Sequence, residues 1–193
     1  MTSGASPQST HPTSHRRAGT VAQAVFWTMK NGHRVEIRPI CSDDEDRMIK
    51  FHKGLSERSV YMRYFASLSL AARTSHTRLA RICFADPVRE TVLVALVLDQ
   101  TSGEQNILAV GRLNKLSDPT KAEVALLVAD EFQGSGLGSE LLRQLVQAAK
   151  DQCITRIEAE MLRDNIAIQR VLRKSGFRLR LIDPRSVRAT LNL

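Results

Sequence analysis

Gln133-Gly134-Ser135-Gly136-Leu137-Gly138 places glycine at every second position between a strand-like apolar run, residues 122–128, and a helix-like run, residues 139–146. Glycines spaced this way let the main chain approach a ligand without Cβ obstruction. At the start of a helix, free N–H groups and the helix dipole favour an anion. The chemistry this stretch fits is the holding of a phosphate group.

Which phosphate depends on the spacing and on what surrounds it. A nucleoside-triphosphate loop needs GxxxxGK followed by Ser or Thr. Here the glycines lie too close together and no lysine follows. A dinucleotide fingerprint needs GxGxxG in an opening βαβ unit, with an acid about 20 residues on. Glu158 and Glu160 meet the second requirement, but the glycines read GxGxG and lie late in the chain, after what reads as an antiparallel meander.

The elements that must position this loop follow from periodicity. Val35-Glu36-Ile37-Arg38-Pro39-Ile40 alternates apolar and polar and reads as a first strand. Ser42-Asp43-Asp44-Glu45 reads as a helix start with Ser42 as N-cap and Glu45 three residues on. Helical periodicity runs to about Phe65, broken near Gly54-Leu55-Ser56, and a further helix fits residues 69–82. Residues 91–98 and 107–113, joined by the polar Thr101-Ser102-Gly103-Glu104 turn, read as an antiparallel hairpin. Residues 122–128 make a third strand of this meander, and after the glycine loop and its helix, 156–160 form another. Residues 165–174 form a helix closed by Gly176 as an αL cap, and 177–182 and 187–193 read as final strands. The expectation is one α+β domain over 34–193, with a mixed, mostly antiparallel central sheet flanked by helices.

Residues 1–33 are expected to be a disordered or loosely attached tail. Its first 19 residues are rich in Ser, Thr, Pro and His, and the apolar stretch 21–27 either packs on the domain or adds a strand. Arg16 and Arg17, with no acid before Glu36, loosely resemble a transit peptide, but no amphipathic Arg-bearing helix accompanies them.

Composition bounds the partners. No apolar run approaches the 18–20 residues of a membrane helix, so no membrane partner is expected. The net charge of +8 fits plain solubility, an anionic cofactor or an acidic surface. No nucleic-acid module is visible, so no nucleic-acid partner is expected. Cys41, Cys83 and Cys153 are widely spaced, form no CxxC pair and sit in apolar sequence, so they are read as reduced core or half-core thiols. No metal is expected, and the setting is read as cytoplasmic.

The remaining pattern, Gln-x-x-Gly-x-Gly between a central strand and a helix, resembles the acyl-CoA pyrophosphate loop of the GNAT N-acetyltransferase superfamily. The order of elements from Val35 onward resembles that fold too. Asn165 and Lys174-Ser175-Gly176-Phe177 match the family's second cofactor segment and its closing strand start. Three further stretches resemble the bacterial Pat-type protein lysine acetyltransferases. These are Ala122-Glu123-Val124-Ala125-Leu126-Leu127-Val128-Ala129-Asp130-Glu131-Phe132-Gln133-Gly134, Leu55-Ser56-Glu57-Arg58-Ser59-Val60-Tyr61-Met62-Arg63-Tyr64-Phe65 and Met161-Leu162-Arg163-Asp164-Asn165. The cyclic-nucleotide or ligase-like domains that often accompany this group are not expected in so short a tail.

The resemblance implies transfer of an acetyl group from acetyl-CoA to an amine, a protein lysine in the Pat-type group. A small amine, or a non-catalytic acyl-CoA-binding role, are the alternatives. Glu123 is implied as general base, because a lysine amine with a pKa near 10.4 must lose a proton to attack a thioester. Burial on a central strand would make it a stronger base. Ala125, Leu126 and Leu127 would offer backbone groups to the pantetheine arm, and Gln133, Gly134, Ser135, Gly136, Leu137 and Gly138 would hold the pyrophosphate. Asn165 has two readings, a hydrogen bond to the cofactor arm or a helix N-cap. Many GNAT enzymes carry a tyrosine where this chain has Leu172. Tyr61 and Tyr64 instead fall, with Arg58 and Arg63, in the segment that shapes the acceptor side or simply packs there. Arg143, Arg173 and Lys174 either meet the cofactor's 3′-phosphate or face solvent.

Overall fold

The computed structural model describes residues 24–99 and 103–193. Its strands are β1 (Val25–Thr28), β2 (Arg34–Pro39), β3 (Glu90–Leu98), β4 (Gln105–Lys115), β5 (Lys121–Val128), β6 (Arg156–Leu162), β7 (Arg178–Leu181) and β8 (Ser186–Asn192). Its helices are α1 (Glu45–Lys53), α2 (Glu57–Tyr64), α3 (Leu70–Arg73), α4 (His76–Cys83), α5 (Leu137–Asp151) and α6 (Ile166–Lys174). The strands join in one sheet in the order β1-β2-β3-β4-β5-β6-β8-β7. Every pairing is antiparallel except β5 with β6, so the expected mixed, mostly antiparallel α+β fold is what forms.

Helices cover the sheet on both faces, which explains the near-continuous apolar run of β3. Leu93 and Ala95 join the core under α5, whereas Val92, Val94 and Leu96 join the core under α1, α2 and α4. On α5, Leu137, Leu141, Leu142, Leu145 and Ala149 recur at helical spacing and are buried as a stripe. Gly111 of β4 lets that stripe come close: a Cβ there would lie 2.8 Å from Leu145 Cδ1 and 2.9 Å from Leu141 Cδ2.

Local details depart from the sequence expectation in three places. The first helix is not capped by Ser42. A 3-10 turn over Ser42–Asp44 comes first, and the Asp44 carboxylate turns back to accept the Cys41 N–H at 3.0 Å. Arg38 at the end of β2 donates to both Asp44 oxygens, at 2.7 and 2.8 Å, and Arg47 donates at 3.0 Å, so a buried acid ties β2 to α1. Secondly, the helix expected over 69–82 is two helices. Thr74 Oγ1 donates to Leu70 O at 2.8 Å and Ser75 Oγ to Ala72 O at 3.2 Å, an alternative set of bonds that breaks the helix there. Thirdly, Cys41 and Cys153 are exposed; of the three thiols Cys83 alone is buried, and burial pushes it up to about 11.

Residues 1–23 of the expected tail, and residues 100–102 in the turn between β3 and β4, lie outside the described residues. Residues 25–28 form the edge strand β1, paired with β2 from Val25↔Ile37 to Thr28↔Arg34. The hairpin that follows reaches the glycine loop. Lys30 N–H donates to Ser135 O at 3.5 Å, and the Trp27 ring lies 3.3 Å from where a Gly136 Cβ would be. The closing signal at Gly176 is as expected, with φ +88° after α6.

Candidate active site

β5 and β6 are laddered only at Lys121↔Arg156, Ala122↔Ile157 and Glu123↔Glu158. Beyond that point β5 stays with β4 up to Ala109↔Val128, and β6 stays with β8 up to Leu162↔Ser186. The two strands part, and the β6-facing edge of β5 from Val124 to Val128 carries no strand partner among the described residues. Main-chain donors and acceptors there are open to an extended ligand, as at any free sheet edge. Ala125, Leu126 and Leu127 lie on this stretch.

The glycine loop stands at the open end of this gap. A 3-10 turn over Asp130–Phe132 leads from β5 into Gln133. Gly134 has φ +77° and Gly136 φ +94°, left-handed conformations that glycine adopts freely. Gly136 is the N-cap of α5 and has no side chain to cap it; Leu137 N–H donates to Ser135 Oγ at 3.4 Å and Ser139 N–H to Gly136 O at 3.0 Å, which leaves the Gly138 N–H without a partner among the described residues at the start of this 15-residue helix. Ser135 Oγ donates to Phe132 O at 2.6 Å, which folds the loop on itself. Gly138 is different: its φ is ordinary, and a Cβ would meet only Val128 Cγ2 at 3.6 Å, a normal contact. The fold itself does not demand glycine at that position.

α2 is bolted to this loop. Asp130 accepts from Ser56 N–H at 2.9 Å, Ser56 Oγ at 2.6 Å and Ser59 Oγ at 2.7 Å. Burial would raise the Asp130 carboxyl, but these hydrogen bonds from Ser56 and Ser59 outweigh it and hold the group below its ordinary value. Gln133 Nε2 donates to Ser59 Oγ at 3.0 Å and to Val128 O at 3.2 Å, so the loop's first residue is committed to scaffolding.

Glu123 is the last β5 residue laddered to β6 and stands at the vertex of the gap. It is exposed, on the α2 face of the sheet, contrary to the burial expected from a central strand. The reason is the parting of β5 from β6, which removes cover on one side. Asn165 is the N-cap of α6, its Oδ1 accepting Ile168 N–H at 3.3 Å. That use leaves its Nδ2 able to donate elsewhere. Leu172 is buried in the core and has no chemistry to offer. Tyr61, by contrast, is exposed and lines a groove of about 480 Å³ with Leu162, Arg163, Asp164, Pro184 and Arg185, between α2 and the far ends of β6 and β7. Arg143 is engaged with Glu140 at 2.7 Å, and Arg173 reaches Gln169 Oε1 at 3.5 Å. His52, on the inward face of α1, is buried with Nδ1 lacking a partner. Among the described residues, no group of three or more His, Cys, Asp or Glu could hold a metal ion, and no helix is long and apolar enough to cross a membrane.

Residues 34–178, which carry the opened sheet and its glycine loop, match the pattern of the acetyltransferase (GNAT) domain. The chain belongs to the GNAT acetyltransferase family. This GNAT chain is 26% identical over 148 residues to the acetyltransferase Pat of Mycolicibacterium smegmatis, covering 77% of this chain and 42% of that one. It is 28% identical over 123 residues to the acetyltransferase PA5475 of Pseudomonas aeruginosa, covering 64% and 63%. The chain thus spans less than two thirds of either relative. Among solved structures, the GNAT domain of S. lividans PAT superposes with a TM-score of 0.78 at 28% identity, over 88% of this chain and 97% of that one. The M. smegmatis RimJ in complex with CoA-disulfide shares the fold, with a TM-score of 0.70 at 15% identity over 90% and 88%.

Proposed function

We propose that this GNAT domain transfers an acetyl group from acetyl-CoA to an amine, with Glu123 as the proton acceptor and a protein lysine as the acceptor class. The observation that carries the reading is the vertex: Glu123 is the last residue before β5 and β6 part, and the glycine loop closes the other end of the same gap. A pantetheine arm laid along β5 would take the open backbone groups of Ala125, Leu126 and Leu127 as an added strand does. The pyrophosphate would meet the N–H groups from Gly134 to Gly138, and the vacant Cβ position of Gly138 fits a ligand that approaches the backbone closely. Asn165 would add its Nδ2 from the β6 side while its Oδ1 caps α6.

In the reaction the amine nitrogen attacks the thioester carbonyl, the N–C bond forms and the C–S bond breaks. The amine proton goes to Glu123; because Glu123 is exposed, a water between them carries it. The thiolate leaves as a weak base, with a thiol-like pKa near 8.5, and takes its proton from solvent. No tyrosine at the position of Leu172 is then required. The groove lined by Tyr61 and Arg163 offers an acceptor entrance wide enough for a side chain borne on a protein. A cytoplasmic setting, expected from the cysteine pattern, belongs to the same reading.

The test is release of CoA thiol from acetyl-CoA with a panel of proteins and small amines. Glu123→Gln should lower turnover by about 10²–10⁴-fold, the usual range for a general base, while acetyl-CoA binding persists. Equal turnover in the variant removes Glu123 from the mechanism. Tight acetyl-CoA binding with no thiol release from any amine identifies a sensor instead of an enzyme.

A further inference from the structure

Under α2, on the same sheet face as Glu123, lies a small cavity of about 20 Å³ bordered by His52, Arg63, Tyr64, Arg112, Ala125 and Leu127. Ala125 and Leu127 belong to the stretch of β5 that is open toward β6. The cavity therefore adjoins the place where an acyl group would lie if the pantetheine arm runs along β5. Its volume is close to that of a single water or a carboxylate end, too small for a long alkyl chain.

Two guanidiniums, those of Arg63 and Arg112, stand in walls that are otherwise mostly apolar, with Met48, Phe51, Ile82 and Val110 completing the lining. Arg112 is ion-paired with Glu90. Arg63, partly buried, makes no hydrogen bond or ion pair with any described residue; it only stacks on Tyr64, its guanidinium 5.1 Å from the ring centre, with Arg78 on the same ring at 4.7 Å. Behind them, Arg73 is buried with Nε and one terminal nitrogen unpartnered, and Arg78 Nε and His52 Nδ1 are unpartnered too. Against these four guanidiniums stand Glu90, the exposed Glu123 at the rim and the exposed Glu57, which reaches Arg73 at 3.1 Å. Burial lowers the Arg63 pKa, and the nearby Arg112 and Arg78 act in the same direction, while Tyr64 and Glu123 oppose them. A part-buried guanidinium with no hydrogen-bonded or ion-paired partner gains when an anion is brought beside it.

We propose that the acyl group this site prefers carries a terminal carboxylate, a dicarboxylic acyl-CoA of the succinyl class, with Arg63 receiving that carboxylate beside Ala125. The inference rests on the acyltransferase reading above and deepens it. The transfer is unchanged in balance: the thioester C–S bond breaks, the N–C bond forms, and the distal carboxylate takes no part. Arg63 would be a specificity residue.

The experiment compares dissociation constants of CoA, acetyl-CoA, butyryl-CoA and succinyl-CoA by calorimetry, for the full chain and for Arg63→Met. Butyryl has the same four carbons without the charge, so its comparison with succinyl isolates the carboxylate. Succinyl-CoA should bind about ten- to a hundredfold more tightly than butyryl-CoA, the span of a charge-assisted hydrogen bond. In Arg63→Met this ratio should fall toward one. Butyryl-CoA binding as well as succinyl-CoA overturns the inference, as does a ratio that survives in Arg63→Met, which would leave Arg63 a packing residue for Tyr64. If Arg63→Met does not fold, the comparison in the unaltered chain decides alone. Failure of every CoA species to bind removes the cofactor reading itself, a result distinct from binding without preference.

Discussion

Asp130 accepts the hydroxyl hydrogen of Ser56 at 2.6 Å, joining the turn before the glycine loop to the first residue ahead of α2, 74 positions away. Ser56 is also the N-cap of α2, its Oγ accepting Ser59 N–H at 3.2 Å. One small side chain thus starts the helix that borders the Tyr61 groove and holds the loop proposed to bind pyrophosphate. Asp130→Ala should cost about 1 kcal/mol in denaturation, discounted for its exposure. The larger effect should be on acetyl-CoA, whose affinity should fall by about tenfold in titration calorimetry as the loop loses its anchor. An unchanged dissociation constant would mean the loop holds its shape without α2.

Gly136 and Gly138 should separate folding from binding. Gly136→Ala forces a side chain into φ +94° and toward Trp27 at 3.3 Å, so it should destabilise by about 1–3 kcal/mol. Gly138→Ala meets ordinary contacts and removes a flexible residue from the first turn of α5, so stability should hold or rise by up to about 1 kcal/mol. Its affinity for acetyl-CoA should nonetheless drop, because the new methyl would stand where the proposed binding mode brings the phosphates. Thermal melts with and without acetyl-CoA read both quantities together.

His52 makes stability fall in mild acid. Burial first, then Arg78 and Arg73, push its pKa from 6.5 down to about 4 in the folded protein. The unfolded chain therefore binds more protons between these values. The stabilising contribution is complete above about pH 6.5 and is lost as pH falls toward 4. Between pH 7.5 and 5 the unaltered chain should lose about 2 kcal/mol more than His52→Met, which fills similar space without titrating. Urea denaturation at the two pH values checks this; parallel losses in both proteins would show that His52 is not the group responsible.

Asp44 adds a second, lower acid step. Burial raises its carboxyl, but the hydrogen bond from Arg38, the Cys41 N–H and the Arg38 charge outweigh this and leave it lowered. Its stabilising effect is present above the unfolded value near 3.9 and is lost as pH falls below it. Asp44→Asn strands Arg38 and Arg47 and should cost about 3–5 kcal/mol at neutral pH, as breaking a buried ion pair does. A loss below 1 kcal/mol would show that water replaces the carboxylate.

Much of this architecture could be read in advance because single residues carried it. Gly103 between two apolar runs marked the β3–β4 hairpin, Gly176 marked the end of α6, and the glycine loop marked the passage from β5 to α5. What stayed hidden needed partners distant in sequence. Thr74 and Ser75 break a helix by bonding back to the preceding turn, and their own helix propensity gives little warning of it. Glu123 alternates as a central-strand residue does, but whether it is covered depends on how far β6 follows β5, which no window around Glu123 contains. The role of Cys41 as cap position comes from Asp44 turning back, a geometry that Ser42 mimics in sequence. The small cavity draws Arg63 from α2 and Arg112 from β4, and each alone reads as a solvated charge.

The family match begins at residue 34, yet the Trp27 ring rests beside Gly136 and Lys30 N–H reaches Ser135 O. Ancestry and mechanical support therefore have different starting points in this chain. A fragment cut at the homology boundary would keep every residue that identifies it and lose the brace behind its own glycine loop.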